Sequence, residues 1–342
     1  MKSLIKKFVE TTGPSGYEKL IRDVVRAEVA PFVDEVSVDS LGNLVARKGA
    51  KKAQGLRVML AAHMDEIGVM ATHVDDNGFI RFTTLGGVTP LTCVGGRVRF
   101  LGRENHGQAV SGVIGMERTS DLSRIPDIEK LFIDVGVSRR KDCPVRVGDV
   151  AAFERPFEDL GKRLVSKAMD DRISVAILVE TFRQMKAQKV QSPHEIFAVF
   201  SVQEEVGTRG ATTAAYGIDP DLGLALDVTR SGDTPQGVRM DVSLGKGPAI
   251  KVRDAGMLSD PRVVDWMVRT AEKARLPYQL EVLERGSTDA RAIQLSRAGV
   301  PAGCLSIPCR YIHSPSEMVD FDDVQNAVQL MIALLRDPIE LK

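Results

Sequence analysis

AAHMDEIGVM, residues 61 to 70, is the stretch on which the fold turns. It continues the apolar run LRVMLAAH, residues 56 to 63, which reads as a buried strand. His63, Asp65 and Glu66 then arrive within four residues. A buried strand that finishes with this much titratable chemistry either runs out into solvent or delivers ligands.

Upstream, the periodicity predicts a helix over about Lys2 to Glu10, a break at TGPSG and a second helix over about Tyr17 to Glu28. Two strands, VDEVSVDS and NLVARKG, meet at Leu41-Gly42. Downstream of residue 70 the texture changes. GFIRFTTLGG, GGRVRFLG, SGVIG, KLFIDVGV and VGDVAAFE are short alternating runs punctuated by glycine, as in a small β-barrel or sandwich. From residue 164 the α/β texture returns. DDRISVAILVETFRQMKAQ, PRVVDWMVRTAEKARL and FDDVQNAVQLMIALLRD are amphipathic helices; HEIFAVFSVQEE, LGLALDVT, YQLEVLE and PAGCLSIP are strands. The expected fold is therefore α/β. Residues 1–69 and 161–342 form one discontinuous domain with a mixed sheet flanked by helices, and residues 70–160 are an inserted, barrel-like all-β domain.

Composition narrows the function. The 342 residues suggest about two domains, and 43% hydrophobic with 27% charged residues is ordinary for a soluble globular protein. A formal net charge of zero points to neither a nucleic-acid partner nor an anionic membrane. No run of eighteen apolar residues is present, and the start reads as an amphipathic helix rather than a signal peptide. Cys93, Cys143, Cys304 and Cys309 lack CxxC spacing, which fits a reducing, cytoplasmic setting.

The charged residues fall at strand ends. His63 and Asp65 follow one strand, Glu204 and Glu205 another, Asp227 a third, and His313 lies beyond a fourth. Asp170 and Asp171 open a helix. Open α/β sheets bind ligands at this edge. Singly, each has a plain structural explanation: Asp170 and Asp171 as helix-capping acids, Glu204-Glu205 as a solvated strand end, a lone histidine as a core residue. Together they would crowd like charges at one rim, which calls for a cation. Two histidines with three or four carboxylates suit zinc, cobalt or manganese, and a bridging carboxylate would hold a pair. In an extended segment Asp65 turns toward His63 and orients its ring. Adjacent Glu204 and Glu205 point apart, so one binds metal while the other stays free as a general base.

Other motifs offer less. Cys304, Cys309 and His313 form C-x4-C-x3-H but lack a fourth ligand nearby. His73, His106 and His194 have no partner pattern. EVGTRGA lacks a Walker lysine and reads as a loop passing close to the site, and Asp289 in GSTDARA reads as a helix cap. A specificity pocket is expected from residues 230 to 260 and 285 to 310, with Arg230, Lys251, Arg253 and Arg291 as basic options and Met257 and Leu258 as apolar ones.

The chain resembles the tetrahedral, cellulase-M-like dinuclear metalloaminopeptidases, which include the glutamyl and deblocking aminopeptidases. The resemblance rests on AAHMDEIG, KAMDDR, VQEEVGTRGA, ALDVT and YIHSPSE, with TGPSGYE and GSTDA near the two ends. It implies a zinc-peptidase-like catalytic domain, a PDZ-like dimerisation insert, and removal of N-terminal residues from peptides by a metal-bridged water. It implies two divalent ions per subunit, zinc or cobalt ahead of manganese. His63 and Asp227 would hold one ion, Glu205 and His313 the other, and Asp170 would bridge. Asp65 would orient His63, and Glu204 would be the general base. Dimers would assemble into a dodecamer. The segment GMERTSDLSRIP, residues 115 to 126, departs from the family's pattern and bears on assembly rather than on the ligands. An N-acyl amino acid deacylase, an endoglucanase (a label some relatives carry) and a non-catalytic scaffold are the alternatives.

Overall fold

The computed structural model describes residues 1–49, 55–102, 109–118 and 125–341. His106 and residues 119–124 of the departing segment lie outside the described residues. Two helices open the chain, α1 (Lys2–Glu10) and α2 (Lys19–Val29). Each buries one apolar stripe, Ile5, Phe8 and Val9 in the first and Ile21, Val25 and Val29 in the second. Strands β1 (Glu35–Val38), β2 (Leu44–Lys48) and β3 (Arg57–His63) follow.

The next six strands leave the sheet. They are β4 (Gly68–Val74), β5 (Ile80–Leu85), β6 (Arg97–Phe100), β7 (Val110–Met116), β8 (Leu131–Asp134) and β9 (Val150–Phe153), with a short helix α3 (Pro90–Cys93). They close into an antiparallel barrel of order β4-β5-β8-β7-β6-β9. Val69, Phe82, Val98, Ile114, Ile133 and Ala151 belong to its own apolar core.

The chain then returns through β10 (Glu158–Asp159), β11 (Arg163–Ser166), α4 (Met169–Ala187), β12 (Glu195–Ser201), α5 (Arg209–Ile218) and β13 (Leu222–Arg230). It ends with β14 (Ala249–Arg253), α6 (Pro261–Ala274), β15 (Gln279–Val282), α7 (Asp289–Gln294), β16 (Ala302–Arg310), β17 (Glu317–Asp320) and α8 (Phe321–Arg336). The main sheet runs β1-β2-β12-β3-β13-β16-β17-β11-β10, and β14 pairs with β15 and β16. Strands β12, β3, β13 and β16 are mutually parallel, with antiparallel neighbours on both sides.

Side chains of β3 alternate between two cores, which is why its sequence is apolar throughout. Val58, Leu60 and Ala62 join the large cluster beneath α1, α2, α4, α6 and α8. Met59 and Ala61 face the smaller cluster with Ala214 and Ile218 of α5 and Ile293 of α7. Among the described residues no helix is long and apolar enough to cross a membrane.

Candidate metal centre

Parallel pairing brings four strand ends to one edge. Ser201 of β12 lies opposite His63, and Ala225 of β13 lies opposite Ala61. Two residues further along, Asp227 therefore reaches the level of His63, at 4.0 Å from its Nε2. Asp170 comes from the start of α4, where Asp170 and Asp171 have non-helical backbone angles and Ala168 occupies the cap position. Its two oxygens face opposite ways: Oδ1 is 3.0 Å from His63 Nε2 and Oδ2 is 3.3 Å from His313 Nε2. The Glu205 carboxylate is 3.3 Å from the same His313 nitrogen.

Two overlapping trios result, His63-Asp170-Asp227 and Asp170-Glu205-His313, with one donor atom from each member within 4.8 Å of the others. His63 Nδ1 faces acceptors alone, the Asp65 carbonyl at 3.1 Å and the Asp65 carboxylate at 3.4 Å, so with a cation at Nε2 the ring's remaining proton would have its acceptor there. Nitrogen and carboxylate donors of this kind match zinc, cobalt or manganese. Glu205 Oε1 is buried without a hydrogen-bond partner, as expected of a donor awaiting a cation.

The electrostatics agree. Burial, then the nearby Asp170 charge, pushes Asp227, Glu205 and Glu317 well above the usual carboxylate range. Burial also raises Glu204; His63 opposes the shift, and Asp227 and Asp289 add to it. Asp170 is opposite: burial opposes ionisation, yet its bonds to His313 and His63 hold it below the ordinary range. His63 is raised despite its burial, through Asp170 and Asp65. Carboxylates forced to share protons in this way are a place where cations could replace those protons.

A supporting layer fixes these side chains. Asp65 accepts hydrogen bonds from Ser15 Oγ at 2.6 Å and from the backbone N–H groups of Glu204 and Glu205 at 3.0 and 3.2 Å. Glu204 and Glu205 thus stand in a turn rather than an extended segment, with Gln203 in the left-handed region. Both side chains consequently face the centre, Glu204 Oε2 at 4.0 Å from His63 Nε2 and Glu205 toward His313, instead of pointing apart. Glu317, unassigned from sequence, accepts from the backbone N–H of Asp170 at 2.9 Å and of His313 at 2.8 Å. Its signal was its place four residues after His313 in YIHSPSE.

The backbone N–H of His63 donates to Asp171 at 3.3 Å. Asp289 is not the helix cap; Thr288 is, and Asp289 is a buried carboxylate accepting from Ser201 Oγ. From the barrel, the turn after β5 presses Gly86 and Gly87 onto the ligands. A Cβ on Gly86 would meet Glu205 Oε2 at 2.8 Å, and one on Gly87 would collide with the His313 ring.

Several sequence candidates lie elsewhere. Cys304 Sγ is 3.6 Å from Ser306 Oγ, and Cys309 Sγ is 3.5 Å from a backbone carbonyl, while the His313 ring faces Asp170 and Glu205, so the three make no common site. His194 is structural, bonded to Leu56 N and near Asp337 O, and His73 is exposed on β4. EVGTRGA runs into α5 at Arg209 rather than remaining a loop.

A cavity of about 370 Å³ opens over the centre, lined by the ligands, Glu204, Arg230, Lys251, Leu283, Arg285, Arg291 and Ile312. Arg253, Met257 and Leu258 do not line it; Met257 is buried in a small cluster and Leu258 is exposed elsewhere. Lys251 is buried and paired with Glu281 and Asp254. Arg230, Arg285 and Arg291 have no ion pair among the described residues.

The profile of the M42 glutamyl aminopeptidase family matches residues 42–330. A putative aminopeptidase of Acetivibrio thermocellus is 43% identical over 97% of both chains. The lysyl aminopeptidase of Pyrococcus furiosus is 37% identical, covering 98% of this chain and 96% of its own. Among solved structures, the aminopeptidase APDkam598 of the archaeon Desulfurococcus kamchatkensis superposes with a TM-score of 0.91 at 40% identity, over 98% of this chain and 94% of that one. The TET1 peptidase of Pyrococcus horikoshii, described as assembling into a tetrahedron or a large octahedral shell, superposes at 0.86 and 31% identity, over 98% of this chain and 99% of that one.

Proposed function

This chain belongs to the M42 glutamyl aminopeptidase family and is a metal-dependent aminopeptidase; on that premise we propose that it works through two divalent ions held by the overlapping trios. The single observation that carries the number two is Asp170, whose separate oxygens face separate histidines. His63, Asp170 and Asp227 hold one ion; Asp170, Glu205 and His313 hold the other. Zinc or cobalt, then manganese, suits this donor set. When bound, the ions supply Lewis-acid polarisation and a water acidified toward neutrality.

Glu204 is the general base. Its carboxylate faces the centre without belonging to either trio, and its burial raises its proton affinity toward the range a base needs. It takes the proton of the attacking water and hands it to the departing amine. Asp65 holds His63 and the turn that carries Glu204. The Glu204→Gln variant is expected to lose at least about a hundredfold in kcat while keeping its metal; near wild-type turnover would remove the residue from this role.

The cavity wall combines Leu283 and Ile312 with Arg230 and Arg285. Lys251 adds no net charge, being matched by acidic neighbours. An apolar wall with a basic rim fits a side chain of methylenes ending in a carboxylate, so N-terminal glutamate is favoured over leucine or lysine. The barrel serves as a PDZ-like dimerisation domain, its Leu91 and Val94 exposed, and the dimers build a twelve-chain shell. The four cysteines are all free, which supports the reducing, cytoplasmic setting.

The test is a panel of aminoacyl-p-nitroanilides, free and N-acetylated, with metal-free protein refed zinc, cobalt or manganese. Release from free-amine substrates alone, fastest with glutamate, is the expected outcome. Acetate release from the acetylated substrates with no p-nitroaniline from either set would indicate a deacylase.

A further inference from the structure

Gly207, Thr208 and Arg291 line the cavity over the centre and also line a second cavity of about 560 Å³, with Tyr216 of α5 and Leu295 and Arg297 beyond α7 on its other walls. The two spaces therefore adjoin at these three residues. An aminopeptidase substrate begins at the residue it loses, so it can extend from the centre in one direction only. The second space is where the rest of the peptide has room to lie.

The two arginines there differ. The Arg297 guanidinium lies 3.8 Å over the Tyr216 ring, donates to the Tyr216 carbonyl at 2.6 Å and is 3.5 Å from Asp219. It is committed to the wall. Arg291 stands at the junction with no carboxylate partner among the described residues. A guanidinium fork matches a carboxylate in shape and charge.

We propose that the second cavity takes the peptide beyond the bond being cut and that Arg291 binds a carboxylate there. The carboxylate belongs either to the free C-terminus of a short peptide or to an acidic side chain on its second residue; the chemistry is the same. The inference rests on the aminopeptidase reading and extends it to the leaving side of the substrate.

The test compares three peptides that start with the residue released fastest, here X: X-Gly-Gly as the free acid, X-Gly-Gly-amide and X-Glu-Gly-amide, with metal-refed enzyme. The free acid is expected to show a kcat/KM about fivefold above the amide, the scale of an exposed charge pair, and the gap should narrow in high salt. A matching gain for X-Glu-Gly-amide alone assigns the side chain as the carboxylate recognised. In Arg291→Gln the charged-to-neutral ratio should fall to about one, and Arg291→Lys should keep part of it. Equal rates for all three peptides in the wild type, or an unchanged ratio in Arg291→Gln, would overturn the proposal. Failure of the aminopeptidase reading looks different, since neither peptides nor p-nitroanilides would be cut. Calorimetry on metal-loaded Glu204→Gln gives a readout independent of turnover: tighter binding of either charged peptide supports the proposal, and equal affinities reject it.

Discussion

Asp65 illustrates how one side chain serves two ligands. Its acceptors meet His63, Ser15 and the N–H groups that set the turn at Glu204 and Glu205. Asp65→Ala is expected to weaken metal binding about 10–100-fold, as measured against a competing chelator; unchanged affinity would show that the turn and the ring hold themselves. Glu18 is a second case. Burial, then the Asp65 charge, raises its carboxyl to about 7, while it accepts from Gly16 N at 2.7 Å and Gln203 N at 3.1 Å. A carboxyl raised in the folded state contributes stability below its unfolded value near 4.5 and loses it as pH climbs through about 7. Glu18→Gln keeps the acceptor and removes that titration. The metal-free variant should match the wild type at about pH 4 and exceed it by roughly 1–3 kcal/mol at about pH 8, and parallel unfolding midpoints across that range would contradict this. At this scale, sequence was informative where chemistry is bunched, as in AAHMDEIG. It left Glu317 without a role although its motif was in view, and was misleading on Asp289, because a buried carboxylate and a helix cap share one residue type.

Among the elements, α4 begins at the centre and also anchors the first turn of the fold. The Arg172 side chain is wholly buried, donates to Phe8 O at 2.6 Å, Thr11 O at 2.8 Å and Met64 O, and lies 3.6 Å from Glu66. It ties the end of α1 to the exit of β3. Arg172→Met should cost about 3–5 kcal/mol, read as a lower urea midpoint, since Glu66 and four carbonyls, that of Gly13 included, lose their donor; a shift within error would place that stability elsewhere. Long periodic elements were legible: α1 and α8 follow their apolar spacing. The helix α5 was not, because RGATTAAYGI carries two glycines and two threonines, poor helix formers. Tertiary contact decides it. Asn43 accepts from Val202 N at 3.0 Å and donates to Gly210 O at 2.9 Å, and Gly210 leaves the room this requires. The turn at residues 203–205 was missed for a related reason: it is set by Asp65, 138 to 140 residues away along the chain.

For the molecule as a whole, the large core beneath the sheet is apolar and contains none of the proposed ligand side chains. Chelation should therefore abolish activity while leaving the far-UV circular dichroism intact; global unfolding would mean that metal binding and folding are one event. The contact of Gly86 and Gly87 with Glu205 and His313 carries a different consequence, one of modularity. An inserted domain can usually be exchanged between relatives at its two junctions, as long as chain ends match. Here the insert supplies part of the casing around two proposed ligand side chains, so sheet and barrel must be inherited together. A chimera bearing a foreign barrel would need the same two side-chain-free positions at that turn, however well its subunits associate.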